Sequence, residues 1–123
     1  MKRILLLLLP DPRFPNPSDP GYEGNRLDYR LTIEQCVRLP LDRQQGATID
    51  EMRKGIRILD ALDRAIGDAP LELEDADWTF LKQKLEKYPW AGTDRRFVRF
   101  YDDIMEATDA VRDPTRTDGV AAT

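Results

Sequence analysis

The sequence predicts a mainly α-helical fold: a small bundle of three to four helices with an extended N-terminal arm and a disordered C-terminal tail. Three observations carry this. Polar capping residues precede apolar residues spaced by three and four at several points after residue 30. Five of the nine prolines crowd residues 10–25, where neither helix nor central strand can form. Residues 113–123 carry Thr, Asp, Gly and Ala with no periodic pattern, which predicts a frayed tail. A chain of 123 residues, 41% hydrophobic and 34% charged, has the length and balance of one domain around one core.

Residues 1–9 form an apolar arm with a possible short strand at 3–9. Met1-Lys2-Arg3 followed by the run Ile4 to Leu9 imitates a secretory signal. The run is short of the roughly 7 to 15 apolar residues a signal needs, and Pro10-Asp11-Pro12-Arg13 follows where small residues belong. Six apolar side chains must be covered, either as a buried strand or against another surface. No strong strand is visible to pair with them, so the expectation is a second polypeptide. Residues 10–25 read as a stiff, polyproline-like tether, with PxxP spacing at Pro12 and Pro15 and at Pro17 and Pro20 as a weaker, ligand-like alternative.

The helical domain spans 26–112. Thr32-Ile-Glu-Gln35 has the layout of a capping box and opens a short helix that ends at Leu39-Pro40. Thr48-Ile-Asp-Glu51 opens the second, with Ile49, Met52, Ile56, Leu59, Leu62 and Ile66 on one face and Gly67 as its left-handed terminus. Gly55 inside that helix implies close approach by a neighbour. Leu71-Glu-Leu73 alternates as a bridge would. The third helix starts at Glu74 or Asp75, lays down Trp78, Leu81, Leu85 and Tyr88, and stops at Pro89. Thr93-Asp94 caps the fourth, which carries Phe97, Tyr101, Ile104, Met105 and Val111, with Phe100 near the edge of that face.

With no histidine, a Ser-His-Asp triad, a Cys-His pair and histidine metal ligation are excluded within the chain. The lone Cys36 excludes an internal disulfide and a cysteine zinc site. Glu72, Glu74, Asp75 and Asp77 suit the positive end of a helix dipole better than a metal, and Asp102, Asp103 and Glu106 read as a solvated helix face. The expectation is therefore no enzyme, no catalytic or metal residues and no cofactor. No apolar run approaches the roughly 20 residues of a membrane span. A net charge of -4 argues against a surface that coats nucleic acid or anionic membrane.

Arg95, Arg96 and Arg99 crowd the first turns of the fourth helix, where the dipole disfavours positive charge. With Trp90 and Phe100 nearby, they form a candidate contact for a protein partner, and less readily for a nucleic-acid backbone. The expected partner-binding set is Ile4, Leu5, Leu6, Leu7, Leu8, Leu9, Trp90, Arg95, Arg96, Arg99 and Phe100.

The stretch from Thr48 to Leu62, then Leu71-Glu-Leu-Glu-Asp-Ala-Asp-Trp78 and a further helix bearing Phe97, resembles small proteins encoded by tailed bacteriophages and prophages. It covers about half the chain, and the arm lies outside it. The resemblance implies an interaction protein of virion assembly or host takeover, cytoplasmic in the host cell or virion-associated, with no cofactor. Its partners would be phage or host proteins, or further copies of itself. The alternative is a small nucleic-acid-binding regulator using the basic start of the fourth helix.

Overall fold

The computed structural model describes residues 1–109, in the order β1 (Lys2–Ile4), β2 (Leu8–Leu9), α1 (Tyr22–Asn25), β3 (Leu27–Asp28), α2 (Tyr29–Arg38), α3 (Ile49–Arg64), β4 (Leu71–Leu73), α4 (Asp75–Lys87), α5 (Arg95–Met105) and β5 (Thr108–Asp109). The mainly helical fold class holds. The expected tail at 113–123 lies outside the described residues.

The leader pairs with strands of its own chain. β1 is the middle strand of an antiparallel sheet ordered β4-β1-β5, pairing Ile4 with Leu71, Lys2 with Leu73 and Arg3 with Thr108. β2 pairs antiparallel with β3, Leu9 opposite Leu27. Strand alternation then turns Ile4, Leu71 and Leu73 into the core and leaves Arg3 and Glu72 outside. Leu71-Glu-Leu73 forms the extended bridge that its alternation predicts, whereas β3 and β5 escaped the sequence reading because each is only two residues long. The expected arm at 1–9 is thus part of the body.

Residues 10–25 are also less extended than a polyproline tether. Backbone N–H groups of Phe14, Asp19 and Tyr22 donate three residues back, to Asp11, Asn16 and Asp19, folding the segment into successive turns. Asp11 fixes the first of them: its carboxylate accepts from the Arg13 backbone at 2.9 Å and from the Arg13 guanidinium at 2.9 and 3.2 Å.

Among the caps, Thr48 accepts from the Glu51 N–H at 3.1 Å and Asp94 from the Arg96 N–H at 2.9 Å, as their sequence positions predict. The box at Thr32 is a correction. Asp28 caps α2 four residues earlier, accepting from Arg30 N, and the Thr32 hydroxyl donates back to the Asp28 carbonyl at 2.8 Å. Glu51 likewise turns inward rather than back to its cap. At the other end of α3, Arg30 donates to the Leu62 carbonyl at 2.6 Å and to that of Ala65, satisfying carbonyls the helix cannot. Gly67 takes φ +63°, as a residue just past a helix end should. Gly55 lies against α2: a Cβ built there would stand 3.1 Å from Val37 Cγ1.

The core gathers Ile4, Tyr29, Ile33, Cys36, Ile58, Leu62, Leu71, Leu73, Leu81, Leu85, Phe100 and Ile104. Tyr29 and Phe100 meet edge to face with ring centroids 4.9 Å apart. Trp78 is half-buried at the margin, its Nε1–H donating to the Ile104 carbonyl at 2.8 Å.

Candidate interaction surfaces

The structure separates the expected partner-binding residues into two groups. Ile4, Leu9 and Phe100 are core residues and cannot meet a partner. Leu6 and Leu7 are half-buried against that core. Arg96 is consumed internally: it donates to Asp94 at 2.8 and 3.2 Å, to the Asn25 carbonyl at 2.7 Å and to the Leu9 carbonyl at 3.3 Å. It therefore joins the leader, the turn segment and α5, and its unfavourable place near a helix start is offset by the Asp94 cap. Arg99 is exposed and lies 3.8 Å from Asp103. Leu5, Leu8 and Arg95 are exposed, and Trp90 is half-buried.

Trp90 organises a shallow groove of about 300 Å³ lined by Thr93, Asp94, Phe97, Val98 and Tyr101. Its ring lies 5.0 Å from Phe97 and 4.7 Å from Tyr88, centroid to centroid. Trp90, Phe97 and Tyr101 give the groove an aromatic lining, and the exposed Arg95 precedes Val98 by one turn of α5. With Arg96 tied down and Arg99 beside Asp103, Arg95 is the one of the three with no ion pair or side-chain hydrogen bond among the described residues. That is a meagre basis for phosphate binding and an ordinary one for a protein contact.

A second surface was not anticipated. On α3 the buried residues are Gly55, Ile58, Ala61 and Leu62. Ile49, Met52 and Ile56, expected to face the core, are 60%, 48% and 54% exposed, and Leu59 is half-buried. At about 100° per residue these four fall within roughly 80° of one another, beside the buried arc. Ile66, just past the helix, is exposed too. The apolar arc of α3 is wider than one domain covers, and the sequence spacing fits both halves equally. A groove of about 170 Å³ runs along it between α2 and α3, lined by Val37, Met52, Gly55, Ile56 and Leu59.

A cleft of about 600 Å³ opens between β1 and the end of α5, bordered by Arg3, Leu5, Arg99, Asp103 and Glu106. Its buried wall is anchored by the Tyr29 hydroxyl, which donates to Asp103 at 2.6 Å; burial first, and this bond second, push the phenol well above its usual range. Asp77 is paired with Arg57 at 2.9 Å instead of meeting the carboxylates of α5. Among the described residues no cluster of acidic or thiol groups is placed to hold a metal ion. None of the described helices is long and apolar enough to cross a membrane. No protein-family model, curated protein or solved structure matches the chain.

Proposed function

We propose that this protein is a non-enzymatic interaction module that acts by binding other polypeptides. The observation that supports the reading is the exposed apolar stripe of α3, Ile49, Met52 and Ile56, standing beside a core that is already closed. Isolated exposed apolar residues are ordinary, but a contiguous stripe along one helix is the form in which helices present themselves to a partner. The Trp90 groove offers a second face of different character, aromatic with a charged rim. The resemblance to small tailed-phage proteins adds the setting of virion or host components. The leader's apolar run, Ile4 to Leu9, is mostly spent on the fold, with Ile4 and Leu9 in the core and only Leu5 and Leu8 left exposed.

The test is a photo-crosslinking residue placed at Met52, with Glu86 on α4 as an exposed polar control, in cells producing the full chain. Discrete adducts from Met52 and none from Glu86 are expected. Equal or absent labelling at the two positions overturns the reading.

A further inference from the structure

We infer that the stripe on α3 is covered by the same stripe of a second copy of this chain, the two helices running antiparallel. The inference rests on the interaction reading above and names its occupant. Ile49, Met52, Ile56 and Leu59 alternate by three and four residues, the spacing of a helix seam.

The charges beside the seam decide the occupant. Four of the eight charged residues of α3 are engaged inside the monomer, Lys54 with Asp50 at 3.2 Å, Arg57 with Asp77 at 2.9 Å, and Glu51 with Lys84 at 2.7 Å, while Asp63 and Arg64 near its end are exposed without an ion pair among the described residues. Arg53 and Asp60 are exposed, and neither is in an ion pair among the described residues. They stand on the same edge of the stripe, seven residues and about 10 Å apart. An antiparallel two-fold axis passing between Arg57 and Ile58 sets Ile56 against Leu59 of the second copy. The same operation brings Arg53 of each copy to Asp60 of the other, forming two identical ion pairs. Ile49 then reaches the far helix end, where Ile66 is exposed. Met52 falls opposite Asp63, which by helical spacing lies on the same face of α3 as the stripe. A parallel two-fold would instead place this edge of one copy on the opposite side of the seam from the same edge of the other, so that Arg53 and Asp60 would not meet. The edge is thus self-complementary in one direction only, which is what a two-fold contact requires and what a stripe built for an unrelated partner has no reason to show.

The experiment measures the particle mass of the full chain by light scattering and sedimentation, as a function of concentration. The expected result is a dimer at tens of micromolar. Ile56→Glu should give a monomer with an unchanged far-ultraviolet spectrum. Arg53→Asp should weaken self-association by about tenfold through repulsion from Asp60, and adding Asp60→Arg should restore it, since opposed charges are exchanged and not lost. Failure of the double swap to restore association overturns the antiparallel seam, and a monomer at about 100 µM overturns the second copy altogether. In that last case, Met52 adducts to a different protein leave the interaction reading standing, whereas no adducts at all remove both.

Discussion

Lys84 Nζ lies 2.7 Å from Glu51 Oε2, and the two side chains are only 3% and 11% exposed. The ammonium also donates to the Leu39 carbonyl, and the same Glu51 oxygen accepts from the Leu41 N–H at 2.9 Å. One ion pair therefore joins α4, α3 and the loop that leaves α2. Burial pushes the Glu51 carboxyl up, but the hydrogen bonds from Lys84 and Leu41 outweigh it and hold the group below its usual range. Removing one member leaves the other charged and sealed from water, a situation that costs about 3 kcal/mol. Lys84→Met should lower the urea midpoint by that order, and Lys84→Met with Glu51→Leu should recover part of the loss. A Lys84→Met midpoint equal to the parent's contradicts the sealed pair.

Acid should loosen the turn segment first. The Arg13 guanidinium and backbone N–H bound to Asp11 hold its carboxyl down to about 2, and Arg96 with its own N–H holds Asp94 below the usual carboxylate range. Both carboxyls have folded values beneath their unfolded ones, so the stability they contribute is present in full above about pH 5 and is lost as pH falls toward 2. Arg13→Ala removes part of that contribution. Its melting temperature should sit below the parent's at neutral pH and converge on it near pH 2. A gap that stays constant across this range is inconsistent with the linkage.

What the sequence disclosed was whatever a few neighbouring residues decide. Thr48, Asp94 and Gly67 act within a turn of their own backbone, and their roles were visible as pattern. The capping role of Asp28 was hidden behind the stronger-looking box at Thr32. Lys84 reads as a surface lysine until α3 supplies Glu51 from 33 positions away. The stripe on α3 failed for a different reason: both halves of a broad apolar arc satisfy helical spacing, and only tertiary packing selects Ile58 over Ile56. At the candidate contact, Trp90 and Arg95 were legible as surface groups, whereas Arg96 and Phe100 were claimed by the interior through contacts with Asn25 and Tyr29 that no local pattern announces.

Cys36 should behave as a core methyl-sized group and not as a reagent. Burial pushes its thiol up to about 12, against a smaller opposing influence from the nearby Lys84 charge. Thiolate is the reactive form, so labelling by a disulfide reagent at pH 8 has to wait for opening of the fold. The rate should be slow in buffer and rise with urea in step with unfolding. Prompt stoichiometric labelling of the native chain would place Cys36 at the surface.

Deleting residues 1–9 offers the sharpest test of the leader's role. Were the segment an arm for another subunit, the helical body would keep its stability without it. In the structure the deletion removes the middle strand of the β4-β1-β5 sheet, leaving Leu71 to Leu73 without backbone partners on that side. It also empties the space filled by Ile4 and Leu9, and loss of one large buried aliphatic side chain alone costs about 2 to 5 kcal/mol. A domain of this size holds about 5 to 15 kcal/mol in total. The truncated chain should therefore be largely unfolded or melt far below the parent, as read by circular dichroism. Ile4→Ala, which keeps the strand's hydrogen bonds, should show an intermediate loss. A truncated chain with the parent's melting temperature is incompatible with β1 at the centre of the sheet.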